Sequence, residues 1–228
     1  MKSSLPQRAT VELVGTALLV AAVVGSGIMA ERLSGGSVAL ALLANTIATG
    51  TALVALILAF GSISGAHFNP VVSLADAIEG GLAWRETPIY IFAQVLGGIA
   101  GTMLAHLMFS LPLVSFSRHA RSGAAQVISE FVATFGLMCV IWGCSRSRPN
   151  AVAFAVGSYI AAAYWFTAST SFANPAVTIA RSLSDTFAGI RPVDVLPFVG
   201  AQVAGGVAAT GLFRWLGSGS GGVEEEVL

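Results

Sequence analysis

Long apolar stretches alternate with short polar breaks along the whole chain. Several stretches reach the roughly 20 residues that a helix needs to cross hydrocarbon. The pattern predicts six spans, at about 10–30, 38–60, 87–110, 124–144, 150–166 and 193–216. The breaks between them have turn or charge chemistry: Ser34-Gly35-Gly36-Ser37 after the first, Leu111 to Gly123 with Pro112, Arg118, His119 and Arg121 after the third, and Arg146, Arg148 and Pro149 after the fourth. Two further segments, at about 69–79 and 175–184, are too short to span and amphipathic enough to be helical. At 1.5 Å per residue each covers about 15 Å, half a bilayer. The first follows Ser64-Gly65-Ala66-His67-Phe68-Asn69-Pro70-Val71, the second Ser171-Phe172-Ala173-Asn174-Pro175-Ala176-Val177. Proline at the first helical position with asparagine just before it is a helix start, so each segment predicts a short helix that begins inside the membrane.

The duplication extends beyond Asn-Pro. Glu12-Leu13-Val14-Gly15-Thr16 matches Glu130-Phe131-Val132-Ala133-Thr134, and Ala93-Gln94-Val95-Leu96-Gly97-Gly98 matches Ala201-Gln202-Val203-Ala204-Gly205-Gly206. The order is the same in both halves: glutamate in the first span, Asn-Pro in the loop, Ala-Gln-x-x-Gly-Gly in the third span. Three spans per half is an odd number, so the second half enters the membrane from the opposite side. The expected fold is an all-α membrane protein with six transmembrane helices, two re-entrant half-helices and an inverted 3+3 repeat. Its parts are a first repeat over 9–111, a connecting loop over 112–123, a second repeat over 124–216 and a flexible acidic tail over 217–228. Lys and Arg divide almost evenly between the two sides and leave the orientation open.

Composition supports the membrane reading. Hydrophobic residues make up 55% and charged residues 10% of the chain, with mean hydropathy +0.82 and no net charge. Nothing in that balance suggests a nucleic-acid partner. The first span is too long for a signal-peptide core and holds Glu12, so it reads as retained. The two cysteines have no metal-ligand spacing and the three histidines do not cluster, so no metal or cofactor is expected and no nucleophile–base pair points to an enzyme.

The candidate chemistry lies at the half-helix starts. A helix start presents free N–H groups and a partial positive charge. Two such starts meeting head to head, capped by Asn69 and Asn174, aim donors at the middle of a lumen. They repel cations there and interrupt proton relay along a water chain, while uncharged solutes with lone pairs pass. Glu12 and Glu130 are carboxylates within spans and hence functional candidates. Either they couple a proton, which makes a transporter, or they accept hydrogen bonds from the re-entrant loops; their symmetric placement favours the second. Gln94 and Gln202 are expected to buttress the same loops, and His67 to support or line the first. The density of Gly97, Gly98, Gly101, Gly205 and Gly206 predicts close helix packing.

These residues in this order resemble the aquaporin and aquaglyceroporin family, the major intrinsic proteins, over about residues 9–216. Within it the chain is most similar to the AqpS-type arsenical channels of bacterial arsenic-resistance operons. The resemblance implies paired pore boxes at Asn69-Pro70-Val71 and Asn174-Pro175-Ala176. It also implies a homotetramer with one pore per subunit, in a bacterial inner membrane with cytoplasmic termini. The family usually has arginine directly after the second box, where this chain has Val177. Counted in the family's register, the other selectivity-filter positions are Thr49, Ala162 and Ser171. A ring of Thr, Ala, Ser and Val implies a wide, arginine-free passive channel for water, glycerol and metalloid hydroxides, including arsenite and methylated arsenicals. Tyr164, Trp165 and Phe166 lie close enough in sequence to intrude, and with Trp165 or Phe166 in the ring the chain reads as an ordinary glycerol or water facilitator. Arg181, one turn beyond Val177, either returns charge to the pore or, as favoured here, faces the vestibule or a neighbouring subunit.

Overall fold

A computed structural model describes residues 3–218. Eight α-helices account for most of these residues: α1 (Leu5–Leu33), α2 (Val38–Ser64), α3 (Pro70–Ile78), α4 (Thr87–Met108), α5 (Ala124–Ser147), α6 (Val152–Phe166), α7 (Pro175–Arg181) and α8 (Pro192–Ser218). Five of them, α1, α2, α4, α5 and α8, are long and apolar enough to cross a membrane. The sixth expected span is shorter than the rest. Pro149 cannot extend α5, a 3-10 turn over Pro149–Ala151 resets the axis, and α6 follows with 15 residues. The half-helices start where Asn-Pro predicts, at Pro70 and Pro175, and α7 is shorter than expected. The helix α8 runs through Ser218, so the first two residues assigned to the tail are helical; the rest of the expected acidic tail lies outside the described residues.

The packing repeats as the sequence does. The helix α1 lies along α4, and α5 lies along α8 in the equivalent way, while α2 packs on α6. Glycine makes both seams possible: a Cβ on Gly97 or Gly101 of α4 would collide with the carbonyl oxygens of Leu13 and Ala17 on α1, and one on Gly205 with that of Phe131 on α5. The outward faces carry apolar side chains such as Phe92, Leu107, Ile128 and Leu196. The polar side chains of the spans, Glu12, Gln94, Glu130 and Gln202, are fully buried inside the bundle. Apolar outside and polar inside is the arrangement that lipid demands.

Candidate conduction pathway

The two re-entrant loops enter the bundle in an unusual backbone conformation. Gly65 ends α2 in the left-handed region, and Ala66 and Phe68 follow it there at φ 48°. The second loop has Thr170 at φ 61° and Ser171 and Ala173 at φ 48°. A non-glycine residue held there costs about 1–3 kcal/mol and persists only when its surroundings fix it. The buried glutamates supply that constraint. Glu12 accepts hydrogen bonds from the Ser64 hydroxyl (2.7 Å), the backbone N–H groups of His67 (3.0 Å) and Phe68 (2.7 Å), and the Gln94 amide (2.8 Å). Glu130 accepts from the equivalent N–H groups of Phe172 and Ala173 (both 2.9 Å) and from Gln202 (2.6 Å). The same glutamine amides then donate at 2.8 Å to Ser73 of α3 and Thr178 of α7. All four side chains therefore tie a re-entrant loop to its half-helix.

Asn69 and Asn174 come together. The Asn69 amide donates to the Ala173 carbonyl, and the Asn174 amide to the Phe68 carbonyl, both at 2.8 Å. Each asparagine also caps its own helix: Asn69 Oδ1 accepts from Val71 N–H (3.0 Å), and Asn174 Oδ1 from Ala176 (3.0 Å) and Val177 (3.3 Å). One amide hydrogen of each asparagine is thus spent on the opposite loop rather than aimed at the path, which leaves one apiece. Pro70, Val71, Pro175 and Ala176 are buried at the two starts.

A cavity of about 240 Å³ runs past this junction and is lined by both asparagines. Thr49, Ser171 and Val177 line it as the filter expectation requires; Ala162 does not. The cavity-facing row of α6 is Val152, Val156, Ile160 and Tyr164, and residue 162 points to the opposite, exposed side of that helix. The α6 contribution near Thr49 is instead Tyr164, 3% exposed, whose hydroxyl donates to Thr49 Oγ1 at 3.2 Å. Trp165 and Phe166 are 50% and 55% exposed and face outward, so neither rebuilds the ring. Arg181 also departs from the favoured expectation. It is 2% exposed, lines the cavity, and lies over the Phe172 ring with its Cζ 3.4 Å from the centroid. Helical side chains lean toward the N-terminus of their helix, which carries Arg181 back toward Val177.

His67 lines the cavity, with its backbone held by Glu12, Nδ1 3.1 Å from Ser73 Oγ and Nε2 3.6 Å from Asp76 Oδ2. Asp76 is a lining residue that motif matching passes over. The available signal is helical phase: Asn69, Val72 and Asp76 fall on one stripe of α3, at spacings of three and seven. Among the described residues no group of His, Cys, Asp or Glu is arranged to hold a metal ion, and both cysteines are free.

Comparisons with known proteins agree with this architecture. The family model described as "Major intrinsic protein" matches residues 1–150. The chain is 57% identical over 212 residues to "Aquaglyceroporin AqpS" of Rhizobium meliloti, covering 93% of this chain and 91% of that protein. It is 30% identical over 208 residues to "Probable aquaporin NIP7-1" of Arabidopsis thaliana, covering 89% and 74%. The solved aquaglyceroporin of Plasmodium falciparum superposes with a TM-score of 0.72 at 20% identity, over 92% of this chain and 96% of that one, a likeness of fold.

Proposed function

Because the chain belongs to the major intrinsic protein family, it is an integral multi-pass membrane channel and not an enzyme, and we propose that its cavity conducts small uncharged polar solutes larger than water. The solutes are glycerol and metalloid hydroxides, with arsenite and methylated arsenicals foremost, as well as water. The observation that carries the reading is that Thr49, Ser171 and Val177, all small, line the cavity, with valine directly after the second Asn-Pro-Ala box. A bulky neutral solute needs width there, and the helix starts at Asn69 and Asn174 disfavour cations at the centre. The working unit is a homotetramer of chains whose repeats are 9–111 and 124–216, in a bacterial inner membrane with both termini cytoplasmic. Glu12, Glu130, Gln94, Gln202 and His67 serve as loop supports.

Tyr164 favours a second reading, an ordinary glycerol and water facilitator, because its ring occupies part of the width that a bulkier solute requires. Metalloid uptake in cells that lack their own facilitators separates the two. The first reading expects arsenite and methylarsenical uptake well above empty-vector cells, and a Val177→Arg variant that loses bulky-solute flux more than water flux. Arsenical uptake equal to the empty vector, with glycerol uptake retained, overturns it in favour of the second.

A further inference from the structure

Asp76 and Arg181 occupy the same place in the two half-helices. Each lies seven residues after its asparagine, on a stripe with Val72 and Val177 respectively, and all four side chains line the cavity. At 1.5 Å per residue the Cα of each lies about 10 Å along its helix from the Asn69–Asn174 junction, and the Arg181 guanidinium leans back from there over Phe172. Contacts with α5 place them at opposite ends. Arg181 lies over Phe172, as does Arg121, which precedes the start of α5. Beyond Asp76, Glu79 at the end of α3 pairs with Arg146 in the last turn of α5 at 3.4 Å. Since α5 has 24 residues, about 36 Å of helix separates its two ends.

The two charges have different surroundings. Arg181 donates from Nε to the Ala188 carbonyl. Its Nη1 is buried with no partner among the described residues, and no ion pair among them includes Arg181. The Ser171 hydroxyl, also on the cavity, is buried and unpartnered too. Arg121 contrasts with this: its guanidinium is engaged by the Gly189 and Ser169 carbonyls at 2.8 and 3.0 Å. A buried cation is costly without a partner, and the free donor of Arg181 together with Ser171 makes a station for a solute oxygen. At the other end the Asp76 carboxylate, with side chain 29% exposed, has the His67 ring beside it and presents acceptors to the cavity.

We infer that Asp76 and Arg181 are specificity-determining residues that form two fixed charges of opposite sign in series, an acidic station at one mouth and a basic station at the other. This rests on the conduction reading above. A cation meets repulsion at Arg181, an anion meets repulsion at Asp76, and an uncharged hydroxylated solute finds donors at one end and acceptors at the other. The channel thereby excludes ions of both signs although Val177 replaces the arginine next to the box.

The test reconstitutes the full chain in lipid vesicles and measures rubidium, nitrate and glycerol fluxes, with each ion flux taken relative to glycerol flux in the same vesicles. Arg181→Gln is expected to raise relative rubidium flux about tenfold and leave nitrate low, a change equivalent to ~1.4 kcal/mol. Asp76→Asn is expected to do the reverse, raising nitrate about tenfold while rubidium stays low. A merely structural role gives no opposition of sign. Conducting variants whose ion fluxes match wild type, or move in the same direction at both sites, overturn the inference. If Arg181→Gln does not assemble, Asp76→Asn decides, since it is nearly isosteric and partly exposed: unchanged nitrate flux in an assembled channel sinks the proposal. Wild-type vesicles that pass no glycerol or arsenite at all would instead sink the conduction reading.

Discussion

Replacing Glu130 by glutamine tests whether the intramembrane carboxylates act as loop anchors. The carboxylate holds two backbone N–H groups and the Gln202 amide at 2.6–2.9 Å. In the variant one oxygen becomes an NH2 group, and in either orientation that group faces a loop N–H. If it takes the position of Oε2, Gln202 can turn over and offer its Oε1, which has no partner in the native protein, but Ala173 N–H is still left unpaired. One orphaned buried donor costs about 1–3 kcal/mol, and the surviving bonds weaken from charge-assisted to neutral by about 1 kcal/mol each, for a total near 3–5 kcal/mol. The loop has little reserve against that loss, because Thr170, Ser171 and Ala173 are all held in the left-handed region at about 1–3 kcal/mol apiece. Glu130→Gln is therefore expected to lower the thermal unfolding midpoint of detergent-solubilised protein and to reduce glycerol flux per assembled channel. A proton-coupling role makes the opposite forecast: unchanged stability, with loss only of any dependence of uptake on a pH gradient. An unaltered midpoint together with unaltered glycerol flux refutes the anchor argument.

Asn174→Asp keeps an acceptor for Ala176 and Val177 but loses the donor to the Phe68 carbonyl. It should destabilise the junction by about 1–3 kcal/mol and raise rubidium leak by placing a negative charge where the two half-helices meet; rubidium flux equal to wild type in an assembled channel argues against a path past the asparagines. Gly97→Ala forces a Cβ into the Leu13 backbone, whereas Gly61→Ala meets nothing within 4 Å. The first should cost about 1–3 kcal/mol in thermal unfolding and the second far less, and equal melting of the two would show that the α1–α4 seam is not tight.

Parts of the molecule were legible because their signals are local. Asn-Pro marks a helix start within a few residues, so both half-helix beginnings agree with the motif, and the apolar runs locate the spans to within a few residues. The loop anchors were legible because the repeat presents Glu12 beside Glu130 and Gln94 beside Gln202. Ala162 shows where such counting fails. The backward count from Asn174 crosses the segment from Thr167 to Ala173, where three non-glycine residues are left-handed, and a fixed offset across such a segment carries no rotational information about α6. The phase of the helix does carry it, since Val152, Val156, Ile160 and Tyr164 recur every fourth residue and all face the cavity.

The same argument explains Asp76 and Arg181. A motif ends at Asn-Pro-Val or Asn-Pro-Ala, but a half-helix that begins at the centre of a pore faces it again three and seven residues later. The backbone of the seventh residue lies about 10 Å from the junction toward a mouth of the path; Asp76 is partly exposed there, whereas the Arg181 side chain folds back and is buried over Phe172. Two half-helices of opposite direction bring two such places to opposite mouths. Nothing in the repeat requires them to match, and in this chain one is a carboxylate and the other a guanidinium. Charge selectivity is consequently free to vary at these places without disturbing the asparagine junction, whose hydrogen bonds reach no farther along the half-helices than Ser73 and Thr178.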